Sequence, residues 1–192
     1  MPAHSETEYV LKALDLFRDV GSTPKPLASD ISEKHPIDAV LKLLKGHWFQ
    51  SVVGYFVNHR AKSPFANIDD EYKVQDLLYC LLLTVLSDLQ YEDPSGKPKG
   101  SLTSTRMDLV SKSQQLIIEA KFASSKHSAT DIESEISEDI VKYGKLQNFS
   151  TIIFFIYCSN YTFPNQTEFE LGFSDRHEIA GHRFRTYCII KP

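Results

Sequence analysis

The chain has 192 residues, of which 42% are apolar and 24% are charged, and its formal net charge is −4 at pH 7. This composition is that of a globular protein rather than a disordered one, and it provides no global basic field to attract nucleic acid, although a local groove can still be basic. The 3 cysteines stand singly inside apolar runs, which favours reduced, buried thiols over a zinc site or a disulfide framework.

The N-terminal residues MPAHSETEYV are polar and acidic, so they lack the apolar core of a secretory signal. The apolar stretches are all far shorter than the roughly 20 residues that a membrane span needs. We therefore expect a cytoplasmic protein with no membrane partner.

Three helices are predicted in the first part of the chain. Residues 5–20 combine a capping box with apolar side chains at helical spacing. A second, longer helix is predicted from Pro36 to about Arg60, with a single apolar stripe. The third, EYKVQDLLYCLLLTVLSDL, begins at Glu71 and is apolar enough to be buried on most sides.

Strands dominate the pattern that follows. LQYED, TRMDLVS and QLIIEAKFA are predicted strands, and the last two are joined by the polar turn KSQ. A helix is predicted over residues 128–148, then a buried strand in STIIFFIYC, a polar aromatic loop and a last strand in RFRTYCIIKP. Helices on both sides of a mixed central sheet predict an α/β fold, preceded by an N-terminal helical region.

The strand QLIIEAKF carries an acid and a base on one face. Because strand side chains alternate, Glu119 and Lys121 share a face with Ile117. The other face is apolar, and we expect it to be the face that packs on the core. Its members are Leu116, Ile118, Ala120 and Phe122.

A second acid is predicted directly across the hairpin. A turn centred on Ser113 and Gln114 places Asp108 opposite Glu119, and likewise Arg106 opposite Lys121. Two carboxylates facing one another repel, and a bound divalent cation is one way to compensate them. The alternative is a surface salt-bridge cluster on a solvated face of the sheet.

The start of the third helix adds two polar groups. Glu71 and Gln75 are one turn apart and lie on the same side of the helix as its apolar residues, so they need partners. A site at the edge of the sheet could supply those partners through water or a metal. Alternatively, Glu71 is simply an acid in the first turn, which the helix dipole favours.

These residues resemble the PD-(D/E)XK nuclease superfamily: Glu71 in a first core helix, Asp108 in RMD, and Glu119 and Lys121 in IIEAK. More narrowly, segments over roughly residues 65–192 are similar, in order, to the MboI-type restriction endonuclease-like domain. The segments are EYKVQDLLYCLL, YEDPSG, RMDLV, IIEAKF, EDIVKY and FFIYC. Met107 stands where the superfamily motif has a proline, and no separate sequence-specificity domain is evident.

The resemblance implies a restriction endonuclease-like core in residues 65–192, after an N-terminal helical region in 1–64. It implies a metal-dependent endonuclease that hydrolyses DNA phosphodiester bonds with Mg²⁺ or Mn²⁺. The residues it implicates fall into three roles. Asp108, Glu119 and Lys121 would be catalytic; Asp108, Glu119 and Glu71 would hold the metal; and Gln75, Arg106 and Tyr143 would support the site.

By the same analogy, we expect a nucleic-acid substrate, with DNA preferred to RNA, and a role as an effector or subunit of a bacterial anti-phage defence or restriction system. We also expect a homo-oligomer or a partner protein within a defence complex. Two alternatives stay open: a non-catalytic subunit that keeps the nuclease fold as a binding and assembly module, and a nuclease directed at RNA.

Overall fold

A computed structural model describes residues 36–96, 105–159 and 161–192. The predicted helix over residues 5–20 lies outside them. Within them, the helices are α1, α2, a 3₁₀ helix, α3, α4 and α5, which span Pro36–Lys45, Trp48–His59, Pro64–Ala66, Glu71–Leu82, Ala129–Tyr143 and Gln166–Gly172. The strands β1 to β6 span Leu89–Gly96, Thr105–Ser111, Leu116–Ala123, Thr151–Cys158, Arg176–Ile179 and His182–Lys191.

The chain forms two compact units. The helical unit contains the described residues up to 67 together with 76–87, and the sheet unit contains residues 68–75 and 88–192. The predicted division at residue 64 stays a prediction, because much of the N-terminal region lies outside the described residues. No helix among the described residues is long and apolar enough to span a bilayer.

The helical unit differs from the sequence prediction at the second predicted helix. The single helix expected from Pro36 to Arg60 is two helices, because the chain turns at Gly46 and His47. Glycine has a low helix propensity, and His47 leaves the helical region with a φ of −89° and a ψ of 5°. The buried residues of α1 are Ala39, Val40, Leu41, Leu43 and Leu44.

The third predicted helix begins at Glu71 as expected but ends at Leu82, several residues before its predicted end. The β-branched residues Thr84 and Val85 follow, where the chain passes through turns. The Thr84 hydroxyl donates a hydrogen bond of 2.7 Å to the carbonyl of Leu81, which helps to close the helix.

The sheet unit is built on a six-stranded mixed sheet with the strand order β1-β2-β3-β4-β6-β5. The strands β3, β4 and β6 run parallel to one another, and the remaining pairs are antiparallel. Every residue of β4 is buried, as predicted for STIIFFIYC. The predicted α/β fold with a mixed central sheet is therefore confirmed.

The predicted register of the central hairpin is also confirmed. Leu109 pairs with Ile118, Val110 with Ile117 and Ser111 with Leu116, which is the register that follows from a turn centred on Ser113 and Gln114. Asp88 holds this turn, because it accepts hydrogen bonds from the Ser111 hydroxyl at 2.6 Å and from the Ser113 amide at 2.7 Å.

Two elements lie where the sequence predicts only a polar loop. Helix α5 is short, and its N-cap residue, Asn165, has a left-handed φ of 47°. Strand β5 has only four residues, and it reaches β6 through a tight turn at Ala180 and Gly181, whose φ angles are 52° and 76°. This is the primed-turn geometry of a two-residue hairpin, but Ala-Gly is a weaker signal for it than Asn-Gly.

Candidate active site

The backbone pairing between β2 and β3 ends at Leu109 and Ile118, and the next two residues in the same register are the acids Asp108 and Glu119. The Asp108 carboxylate accepts a hydrogen bond from the backbone N–H of Ala120 at 2.9 Å. The Glu119 carboxylate accepts one from the backbone N–H of Asp108 at 3.3 Å. Each acid thus bonds to the opposite strand, and the predicted pair is brought together.

The prediction that only one face of β3 packs on the core is wrong, because both faces are buried. Glu119 is only 4% exposed and Lys121 only 8% exposed. Helix α4, which follows β3 in the chain, contacts this strand. The two charged groups are therefore enclosed, and the alternative of a solvated salt-bridge face does not hold.

Enclosure changes the acidity of both carboxyl groups. Burial is the main cause that raises the pKa of Asp108 to about 6; the hydrogen bond from Ala120 and the charge of Lys121 act against it. Burial also raises the pKa of Glu119 well above its usual value, and the negative charges of Asp108 and Asp139 add to the effect. Two acids that both resist ionisation form a site that a cation would stabilise.

The first turn of α3 reaches the same cluster. Burial raises the pKa of Glu71 to about 7; Lys121 lowers it, and the carboxylates of Asp108 and its neighbours raise it further. Gln75 is buried, and its side chain hydrogen-bonds to Asp108 while its Oε1 accepts a bond of 3.3 Å from the Tyr91 hydroxyl. Both polar residues of α3 therefore have partners in the site.

Lys121 is held by two acids of α4. Its Nζ lies 3.3 Å from Glu135 Oε2 and 3.2 Å from Asp139 Oδ2. Burial lowers the pKa of Lys121, but the charges of Asp139, Glu119 and the other acids outweigh it and hold the pKa above the usual value. The side chain is therefore a fixed positive charge.

Tyr143 connects α4 to the acid pair. Its hydroxyl donates a hydrogen bond of 2.7 Å to Glu119 Oε1, and it lies 3.4 Å from the backbone carbonyl of Arg106. Lys142 Nζ donates to the same hydroxyl at 3.1 Å and to Asp139 Oδ1 at 3.0 Å. A chain of contacts thus runs from Lys121 through Asp139, Lys142 and Tyr143 to Glu119.

Of the seven residues predicted for the site, six bring their side chains to it. They are Glu71, Gln75, Asp108, Glu119, Lys121 and Tyr143. The Arg106 side chain is exposed, and Arg106 reaches Tyr143 through its backbone carbonyl.

Sequence reasoning missed Glu135 and Asp139. One signal was available: Asp139 falls on the inner stripe of the helix, between Ile136 and Tyr143, where an acid needs a partner.

A divalent metal fits the chemistry of this site in part. Both hydrogen bonds to Glu119 use Oε1, and Asp108 and Glu119 are hard oxygen ligands of the kind that Mg²⁺ prefers. Across the described residues, no three His, Cys, Asp or Glu side chains are grouped so that they could hold an ion. Mg²⁺ commonly takes one or two carboxylates and completes its shell with water and substrate phosphate, so two acids are sufficient.

A mixed α/β sheet with two opposed carboxylates and a lysine on its central hairpin is the arrangement of a PD-(D/E)XK-type restriction endonuclease domain. Comparison with protein families is consistent with this class: the family model REase_DpnII-MboI matches residues 44–187, which is more than half of the chain. The chain belongs to the DpnII-MboI restriction endonuclease family. Comparisons with curated proteins and with solved structures gave no match.

Proposed function

We propose that the protein is a metal-dependent endonuclease that hydrolyses phosphodiester bonds of DNA. The observation that carries this proposal is the enclosed group of Asp108, Glu119 and Lys121 at the point where the β2–β3 ladder ends. Membership of a restriction endonuclease family favours DNA over RNA as the substrate. A non-catalytic binding module has no evident use for two adjacent acids whose pKa values are both raised by burial.

In this proposal, Asp108 and Glu119 hold Mg²⁺ or Mn²⁺, and Glu71 helps to hold the metal through a bound water molecule. When bound, such an ion acidifies a water molecule and neutralises negative charge on the phosphate. The protein fixes its two ligands before binding: the Ala120 amide anchors Asp108, and the Tyr143 hydroxyl anchors Glu119. The remaining oxygen of Glu119, Oε2, is the one we assign to the metal.

Lys121 supplies positive charge beside the two acids. Because Glu135 and Asp139 each hold its ammonium group within 3.3 Å, the charge is positioned before substrate binds. Such a preorganised charge stabilises negative charge that develops on the phosphate, and it can orient the attacking water. We therefore assign Lys121 the part of stabilising group rather than that of general base.

Three further residues have supporting parts. Gln75 and Tyr143 orient the carboxylates of Asp108 and Glu119 through hydrogen bonds. Arg106 presents an exposed guanidinium next to the site in sequence, and we propose that it contacts a phosphate of the substrate. Gln75 and Tyr143 thus orient the metal-binding carboxylates, whereas Arg106 contacts the DNA.

We further propose that the protein acts in the cytoplasm in a bacterial restriction or anti-phage defence system, as an oligomer or with a partner protein. The family supports this role, because restriction is a form of defence against foreign DNA.

The proposal is tested by single-turnover cleavage of a supercoiled plasmid with Mg²⁺, Mn²⁺ or EDTA. We expect metal-dependent cleavage by the wild type and a loss of about 10²- to 10³-fold in rate for Lys121→Ala, as for removal of other preorganised charges. Asp108→Asn, which is nearly isosteric, should abolish cleavage as well.

Lys62→Ala is the matched control, since Lys62 is an exposed lysine of the helical unit. It should cleave like the wild type. Cleavage in EDTA, or full activity of a folded Lys121→Ala protein, would overturn the proposed mechanism.

A further inference from the structure

The edge hairpin of the sheet, β5–β6, carries three arginines on one face. Arg176 pairs with Arg185, and Arg183 lies two residues before Arg185 in β6. Because strand side chains alternate, the three arginines share one face of the hairpin, and His177 and Phe184 lie on the other. All three arginines are exposed. The chain as a whole has a net charge of −4, so this concentration of positive charge is local.

The pairing of these arginines is unusual. Arg183 lies opposite Glu178, and the two form an ion pair of 2.9 Å. Arg176 lies directly opposite Arg185, and within the described part of the chain neither forms an ion pair. Like charges that face each other across strands destabilise a sheet, so this pair has a cost that an anionic ligand would remove.

The pair borders an open concavity of about 510 Å³. Its lining contains both arginines together with Ser150, His177, Glu178, Arg183 and Phe184. Two contacts order the lining: the rings of His177 and Phe184 stack at 5.2 Å, and the guanidinium of Arg185 lies 4.9 Å from the ring centre of Tyr187. The attraction between a cation and an aromatic ring restrains the Arg185 guanidinium before any ligand binds.

The concavity is separate from the acidic site. Glu119 is in register with Cys188 through Phe154, and Arg185 lies three residues before Cys188. At the usual strand rise and spacing, the Cα atoms of Glu119 and Arg185 are on the order of 15 Å apart. The alternation of β6 also places Arg185 on the face of the sheet opposite to Glu119.

We propose that Arg176 and Arg185 bind the phosphate backbone of DNA, as a second contact outside the cleavage site. Guanidinium groups bind phosphate oxygens in a bidentate manner, and the densely charged DNA backbone supplies the anions that the opposed arginines lack. This inference rests on the proposed function for the choice of DNA as the ligand. The contact adds affinity without touching the reacting phosphate.

The test measures binding of a fluorescent duplex of about 30 base pairs in EDTA, where no metal-dependent cleavage occurs. The variant is the double substitution Arg176→Gln with Arg185→Gln. Arg183 is left in place because it is paired with Glu178. Lys42→Gln with Lys62→Gln is the control, since both lysines are exposed in the helical unit and the charge change is the same.

We expect the arginine variant to bind about tenfold more weakly than the wild type near 0.1 M salt. Removal of two phosphate contacts should also reduce the slope of log affinity against log salt by about 2. The control should reproduce the affinity and slope of the wild type. Equal binding and equal slopes for the arginine variant, the control and the wild type would overturn the proposal, as would equal losses in both variants.

Cleavage separates this inference from the proposed function. If the wild type cleaves plasmid, the arginine variant should show a raised KM and an unchanged single-turnover rate at saturating DNA. If the arginine variant cleaves and binds like the wild type, the proposed second contact is rejected and the proposed nuclease activity stands. Weakened binding by the arginine variant, with no cleavage by any protein, supports the contact and rejects the nuclease.

Discussion

The hairpins β2–β3 and β5–β6 each bring two like charges together, but in different surroundings. Glu119 is buried and Asp108 is half-buried, and their hydrogen-bond partners come from the backbone, Gln75 and Tyr143. Arg176 and Arg185 are exposed at the edge of the sheet. Water screens the exposed pair, whereas the enclosed pair depends on groups that the fold supplies or on a bound ion.

These different surroundings suit the two hairpins to different tasks. An enclosed pair with fixed partners can stabilise charge at one point, which is what a reacting phosphate requires. A solvated pair can follow a mobile polyanion and contributes affinity that depends on salt. Substitutions at the buried site should therefore change the free energy of unfolding much more than substitutions at the exposed hairpin.

The largest effect is expected from Lys121→Met. Loss of the buried cation leaves Asp139 and Glu135 without their shared partner, which should lower the free energy of unfolding by about 3–5 kcal/mol. Urea denaturation measures the change. Addition of Asp139→Asn to this variant should restore part of the stability.

Lys142→Met is the control for this prediction, because Lys142 also contacts Asp139 but is 39% exposed. Its effect should be below about 1 kcal/mol. Similar losses for Lys121→Met and Lys142→Met would show that enclosure does not distinguish the two lysines.

Tyr143→Phe should have the next largest effect. It removes a 2.7 Å hydrogen bond to the buried Glu119 carboxyl group, and loss of the partner of a buried polar group costs about 1–3 kcal/mol. Urea denaturation should therefore show a loss of about 2 kcal/mol. Tyr161→Phe, which removes only a bond from the Ala129 amide, should lose less, and the reverse order would contradict the assignment.

A smaller effect is expected at the edge hairpin from Arg176→Glu. The substitution converts a like-charge pair with Arg185 into an opposite-charge pair, which should raise stability by about 0.5 kcal/mol at low salt. The gain should disappear near 1 M salt. Glu178→Arg makes the converse change opposite Arg183 and should lower stability; thermal unfolding at two salt concentrations measures both.

The smallest effect concerns Asp88, which holds the turn of the β2–β3 hairpin. Partial burial raises the pKa of Asp88, but the hydrogen bonds from Ser111 and Ser113 outweigh this effect and hold the pKa below its usual value. The carboxylate therefore adds stability above its unfolded pKa, and that stability is lost as the pH falls through the lower folded value. Because Asp88 is largely solvated, we expect only about 0.3 kcal/mol.

Asp88→Asn isolates this contribution. The difference in unfolding free energy between wild type and variant should be constant from pH 5 to 7 and should shrink below about pH 4. A difference that grows on acidification would have the wrong sign for a carboxyl group whose pKa is lowered.

Much of the central hairpin could be predicted from sequence, because local rules determine it. Alternation along IIEAK and the position of the turn gave the register that brings Asp108 and Glu119 together. The burial of this face could not be predicted, since it depends on α4, whose contact with β3 is not local.

The two acids of α4 and the edge strand β5 were harder to predict from the sequence, for two physical reasons. Glu135 and Asp139 bond to a lysine that is more than ten residues away, and a helical acid is usually solvated. Strand β5 has four residues and an Ala-Gly turn, so it gives too short a pattern for alternation to be recognised.

The proposed nuclease activity depends most directly on whether Asp108 and Glu119 bind a divalent ion. Isothermal titration calorimetry with Mn²⁺, without DNA, measures this independently of cleavage. We predict saturable binding to the wild type that Glu119→Gln abolishes and Lys62→Gln leaves unchanged. Equal Mn²⁺ binding by wild type and folded Glu119→Gln would contradict a metal site at Asp108 and Glu119.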